Sequence, residues 1–304
     1  MGKAMVATRP TALVAFVVGS IGIATFSGMD AVMKGLVIAL GIYPTMLWRM
    51  LSGVAMSGAL FAARPHWPSR STMRIHLFRG ALTFFMAMLF FWGLAKVPLA
   101  QAIALAFIAP LIALFLAAFF LGETIGPKTI AASLVAFAGV ILIFIGQAQA
   151  DLGRDALHGS IAILVSALCY AVNIILMRSQ AQVAGPIEIA FFQNVIVAAL
   201  LIAAWPVFGG AQFPPTNQIP FILLAAFLST ASLLLLSWAY ARAEASYLAA
   251  TEYTSFLWAM LLGWLVFDES VSWFTLAGAA LIVAGCILAA RRPQDASPAL
   301  EAAA

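Results

Sequence analysis

Apolar runs of roughly twenty residues, the length that crosses a bilayer's hydrocarbon core as a helix, recur along the chain at 11–34, 43–62, 75–95, 99–121 and 128–146. A polar break follows at 147–158, carrying Asp151, Arg154 and Asp155. Five further runs then occupy 159–178, 187–208, 219–240, 246–267 and 272–290. The pattern predicts an all-α membrane protein of ten transmembrane helices. The links between runs leave no room for a soluble domain, and residues 291–304 read as a disordered cytoplasmic tail. The first run, behind Lys3 and Arg9, extends too far for a secretory signal and reads as an uncleaved span.

Composition agrees. Hydrophobic residues make up 64% of the chain and charged residues 9%, against about 25% charged in a soluble domain. Too few polar groups are present to coat a water-soluble surface. A net charge of +4 has a topological explanation that needs no nucleic-acid partner. With the N-terminus inside, the cytoplasmic segments hold Lys3, Arg9, Arg64, Arg70, Arg74, Lys128, Arg178, Arg242, Arg291 and Arg292. The opposite side holds only Lys96 and Arg154. Basic loops stay on the cytoplasmic side, so the expectation is an inner-membrane protein with both termini cytoplasmic.

The two halves resemble each other. A shift of 146 residues places Trp92 on Trp238, Lys96 on Arg242, Ala113 on Ala259, Glu123 on Glu269, Thr129 on Thr275 and Gly139 on Gly285. In the first two spans of each half a shift of 144 places Lys34 on Arg178 and Trp48-Arg49 on Phe192-Gln193. The units are 11–146 and 158–290, each of five spans. An odd number of spans sends the second copy into the bilayer from the other side, giving two inverted five-helix repeats. Carriers use this arrangement to open one central site alternately to either face.

The repeat, the Gly122-Glu123-Thr124 turn with its counterpart Asp268-Glu269-Ser270, and the Trp48-Arg49 pair together resemble the EamA-type ten-helix transporters of the drug/metabolite transporter superfamily. The Met29-Asp30-Ala31-Val32-Met33-Lys34 stretch also looks like a pattern of that group. The resemblance covers about 11–290 and implies secondary transport of a small metabolite, such as an amino acid, vitamin, cofactor or purine. It specifies neither substrate nor direction.

Ionisable groups inside a span cost about 2.5–3.5 kcal/mol on insertion scales and need a reason to be there. Asp30 and Lys34, four residues apart, share one helix face. With Arg49 they are expected to form an ion network at the outer end of a cavity, or a structural clamp between spans 1 and 2. Glu252, beside Tyr253, is a candidate for a proton or a cationic substrate group, or a glutamate bonded to neighbouring helices. Tyr170, Asn173, Gln193 and Asn194 supply neutral hydrogen-bonding groups, for substrate or for helix contacts. Trp258 is the deepest tryptophan and the best candidate for an aromatic cavity wall; Trp92 and Tyr240 fit interface anchors better. Glu123 and Glu269 are expected to cap the helices that follow them. Arg79 is placed near the cytoplasmic interface, and Pro110 should bend span 4. Small pairs, Ala132/Ala136 and Ala280/Ala284, allow close helix approach, including in a homodimer.

No phosphate-binding Gly-Lys-Ser/Thr loop occurs, which argues against ATP-driven pumping. His66, His76 and His158 are scattered, and Cys169 and Cys286 lie in apolar runs, so no metal site or cofactor is expected. No serine, histidine and acid converge on a catalytic pattern. The reading is a carrier rather than an enzyme, its partners being the bilayer and a small-molecule substrate. A zwitterionic amino acid held by Arg49 and Glu252 and a flat heteroaromatic such as riboflavin are both admissible; the alternative is a membrane-embedded enzyme that modifies a small molecule.

Overall fold

The computed structural model describes residues 9–63, 65–109, 111–113, 115–116, 127–149, 153–181, 183–210, 212–240 and 251–290. Among them the regular structure is helical: α1 (Arg9–Leu40), α2 (Ile42–Ala62), α3 (Arg70–Leu94), α4 (Leu99–Ala106), α5 (Pro127–Gln149), α6 (Gly153–Ala181), α7 (Pro186–Ala203), α8 (Ile219–Tyr240), α9 (Thr254–Phe267) and α10 (Trp273–Ala290). A single helical turn, Trp205–Phe208, extends α7. Five of the described helices are by themselves long and apolar enough to cross a membrane. The polarity is inverted relative to a soluble protein. Leu134, Phe137 and Ile141 of α5 face outward, while Asp30, Lys34, Arg49 and Arg79 are buried.

Two boundaries differ from the sequence reading. Helix α1 continues past Lys34 to Leu40, because that lysine is neutralised inside the protein and does not mark the end of the span. Gly41 ends α1 instead, at φ 85° and ψ 165°, a conformation that only glycine adopts easily, and α2 starts at the next residue. Helix α3 begins at Arg70 rather than 75, because the Ser69 hydroxyl accepts from Thr72 N at 3.2 Å and caps it.

The packing repeats across the halves. Helix α1 lies along α8 and its counterpart α6 along α3; α3 packs on α7 as α8 packs on α2; α1 meets α9 as α6 meets α4. The remaining principal contacts, α2 with α7, α4 with α9 and α5 with α10, pair each helix with its own equivalent. Swapping the halves therefore returns the same set of neighbours, the signature of a two-fold relation. The α5–α10 contact is closest at Gly139 and Gly278, where a Cβ on either would stand 2.5–2.6 Å from the other's carbonyl oxygen. Ala136 is fully buried, whereas Ala280 and Ala284 are exposed. Ala136 and Gly139 of α5 thus serve contacts within the chain; Ala132 lies outside the described side chains.

Candidate functional site

Helix α4 and the helical residues Thr251–Glu252 ahead of α9 are followed by breaks at equivalent places. After Ala106 the hydrogen bonds tighten from four-residue to three-residue spacing, Ile108 N donating to Leu105 O at 3.3 Å. At Tyr253, 146 residues beyond Phe107, Phe256 N donates to Tyr253 O at 3.3 Å. The two rings meet edge-to-face, their centroids 5.4 Å apart, where the halves adjoin. Paired helix interruptions of this kind are a common setting for carrier binding sites. Pro110, expected to bend span 4, lies outside the described residues.

Polar groups gather beside this junction. Asp30 on α1 is 1% exposed. It and Arg49 of α2 act on each other electrostatically; Asp30 and Glu252 each act on Tyr170, and the Arg49 guanidinium lies 6.0 Å from the centre of the Phe91 ring. Among the described residues, neither Asp30 carboxylate oxygen has a hydrogen-bond partner. The same holds for Arg49 Nε, Gln193 Oε1, Ser27 Oγ, Thr83 Oγ1 and Ser232 Oγ. These atoms lie on α1, α2, α3, α7 and α8, the helices that the two-fold relation brings together. Buried polar atoms are normally partnered, and these, on neighbouring helices, are not. Arg49 is held from the side by Ser229 Oγ, 3.1 Å from Nη1.

Lys34 does not join this group. Its ammonium donates to Glu269 Oε1 and to Val97 O (2.6 Å), beneath the Phe267 ring. The expected three-residue network of Asp30, Lys34 and Arg49 is thereby divided: one face of α1 serves two sites a helical turn apart. Glu269 does accept a backbone N–H, but from Leu99 at the start of α4, at 2.7 Å, and not from the helix that follows it. The following helix has its own cap, Ser272, which accepts from Thr275 N at 3.1 Å. Glu269 can reach back because Asp268 takes a left-handed conformation, φ 53°, and Glu269 N closes on Gly263 O at 3.0 Å. Its repeat counterpart Glu123 and the Arg178 side chain lie outside the described residues.

Residues 12–145 and, separately, 157–291 match the EamA-like transporter family. The chain belongs to the EamA-like transporter family. It is 30% identical over 76% of its length to a riboflavin transporter of Rhizobium johnstonii, 73% of which is covered. It is 27% identical over 88% of its length to the pseudopaline exporter CntI of Pseudomonas aeruginosa, 92% of which is covered. A solved crystal structure superposes with a TM-score of 0.62 at 20% identity, covering 94% of this chain and all of that one, and supports the fold. This EamA-like transporter is accordingly a multi-pass membrane protein and a secondary carrier of small molecules.

Other candidates of the EamA-like transporter are placed differently. Asn173 Oδ1 accepts from Arg79 Nε at 3.0 Å, and Asn194 donates to Ser57 Oγ at 3.3 Å, so both are engaged in helix contacts. Arg79 does not reach the interface: it is buried and bonded to Gln180 and Asn173 of α6. Trp258 is 38% exposed, because α9 turns Ala259 and Gly263 inward and leaves Leu257, Trp258 and Leu261 outside. The aromatic residues at the junction are Phe107, Tyr253 and Phe256 instead. Trp92 carries the Lys96 ammonium 4.6 Å above its ring. The sequence reading missed Ser27, Thr83, Ser229 and Ser232, since hydroxyls are common in membrane helices and spacing does not single them out. It also missed Glu188, which His66 and His76 both reach.

Proposed function

We propose that this protein carries a small amphoteric organic molecule by alternating access, with Asp30, Arg49 and Gln193 contacting the substrate. The supporting observation is the set of buried polar atoms without partners on α1, α2, α3, α7 and α8, among the described residues. Asp30 and Gln193 offer acceptors and Arg49 offers a donor, so the fitting substrate presents both kinds of group. A zwitterion of the amino-acid class does so. A flat heteroaromatic with adjacent N–H and C=O groups is the second reading. It is favoured by the Phe107–Tyr253 contact and by the relative named as a riboflavin transporter. Glu252 and Tyr170 complete the wall on the second half's side.

The Lys34–Glu269 bridge acts as the gate at the end of the bundle where α1 finishes. It ties α1 to the α3–α4 junction and to the end of α9, joining both halves. The distribution of basic residues puts that end on the periplasmic face of an inner membrane, with both termini in the cytoplasm. Driving force comes from the substrate gradient, exchange or a coupled proton.

The test is untargeted metabolite profiling of cells and medium, comparing intact protein, Asp30→Asn and empty vector. An unmodified compound redistributed by the intact protein alone is the expected outcome and identifies substrate and direction. A new chemical product would favour the enzyme reading. Equal redistribution by Asp30→Asn would remove Asp30 from the site.

A further inference from the structure

Away from the central site, the fold brings two histidines ten residues apart to one carboxylate, Glu188. This glutamate is in the first turn of α7, where a negative charge meets the positive end of the helix dipole. Its Oε2 lies 2.6 Å from His66 Nε2, and its Oε1 lies 3.0 Å from His76 Nε2. The His76 side chain is fully buried, whereas that of His66 is 57% exposed. A surface cavity of about 590 Å³, lined by His66, Trp67, Ser69, Val183, Gly185 and Glu188, opens beside them.

Arg79 fixes where the proton on His76 resides. A guanidinium only donates, so the Gln180 atom facing Arg79 is Oε1. The amide nitrogen of Gln180 then faces His76 Nδ1, at 2.7 Å, and Nδ1 must accept. The single His76 proton is therefore on Nε2, donated to Glu188. A second proton on Nδ1 would point at the N–H groups of Gln180. Turning the amide over would set those N–H groups against Arg79, whose Nε is already committed to Asn173. Gln180 thus holds the Nδ1 edge of His76 inside the protein, and His66 is the imidazole open to solvent.

We propose that His66 and Glu188 form a proton-binding site that latches the α2–α3 connection to α7, with Arg79 as a positioning residue acting through Gln180 and His76. The proton comes from solution and stays on the His66 ring. When bound, it puts a positive charge on the ring beside the Glu188 carboxylate and turns the contact into an ion pair. When lost, the connection is held more weakly and the bundle loosens at the end where α1 begins. Resting on the carrier reading, the consequence is that proton occupancy sets how readily that side opens.

The groups facing Glu188 are few among the described residues. The α2–α3 connection contributes His66, α3 contributes His76 with Arg79 behind Gln180, and α6 contributes the neutral Gln180. Arg70 and Arg74 of α3 are exposed. Phe61 of α2 and Phe191 of α7 stack beside the cluster, 4.6 Å between centroids, and carry no charge. Arg64 and the Arg178 side chain lie outside the described residues.

The test is nuclear magnetic resonance of the full chain in lipid nanodiscs with labelled imidazoles. The protein has three histidines, so His66→Gln and His158→Gln assign the signals. The signal of the exposed His66 should respond to pH, while the His76 ring should show its proton on Nε2. Glu188→Gln should move the His66 titration to more acidic pH. Gln180→Glu, which offers Nδ1 an acceptor, should let His76 take a second proton. A His76 ring carrying its single proton on Nδ1 in the unaltered protein, or a His66 response to pH indifferent to Glu188→Gln, overturns the proposal. None of these signals requires transport, so they stand apart from any failure of the carrier reading. In transport assays His66→Gln should flatten the pH profile; a profile of unchanged shape overturns the latch.

Discussion

The two ends of the bundle are closed by different chemistry. Where α1 finishes, a buried lysine meets a carboxylate, a backbone carbonyl and the ring of Phe267. Where α1 begins, a buried and an exposed histidine share the Glu188 carboxylate. The difference follows the repeat. Lys34 and Glu269 have counterparts of like charge in the other half, Arg178 and Glu123, so that device is duplicated in the sequence. His76 and Glu188 fall on Ile222 and Pro44, so the histidine cluster belongs to one half alone. Duplicated residues fit the exchange of conformations common to both sides, and unduplicated ones are where this chain can treat its two faces differently.

Three substitutions, read by thermal unfolding in detergent, rank the two ends and a control. Lys34→Ala should have the largest effect, lowering stability by about 3 kcal/mol, because Glu269 is left charged and largely buried without its cation. A loss under about 1 kcal/mol would show that water reaches the gate and replaces the lysine. His76→Ala should cost about 1–3 kcal/mol, since Gln180 and one oxygen of Glu188 lose their buried partner. If it matched Lys34→Ala, the two ends would be equally strong and the contrast between them would fail. Lys96→Ala should cost well under about 1 kcal/mol. Its 3.5 Å pair with Asp155 is solvent-exposed, so a larger loss would point to the Trp92 contact as structural.

Much of the fold was legible because the bilayer imposes a length on every apolar run. The ten runs correspond in order to the ten helices, and the repeat seen in the sequence returns as a repeat in the packing. The interruptions at Phe107 and Tyr253 were not foreseen: in helices this uniformly apolar, a change from four- to three-residue bonding leaves no mark on the residue pattern. Helix spacing correctly put Asp30 and Lys34 on one face but could not supply a partner 235 residues away. A signal for that partner did exist, the parallel duplication of a basic residue late in the first span and an acid before the fifth. The histidines looked scattered because only the folding back of the α2–α3 connection onto α7 brings them to Glu188.

The meeting of Phe107 with Tyr253 has an energetic corollary. Equivalent breaks that touch across a two-fold relation offer two symmetry-related places to bend, one in each half. Neither bend is then strongly preferred by the fold, and the resting population hangs on small terms. About 1.4 kcal/mol changes such a balance tenfold, within reach of one hydrogen bond or one proton. A carrier built this way idles close to equipoise, and whatever breaks the likeness between its halves decides which face it shows.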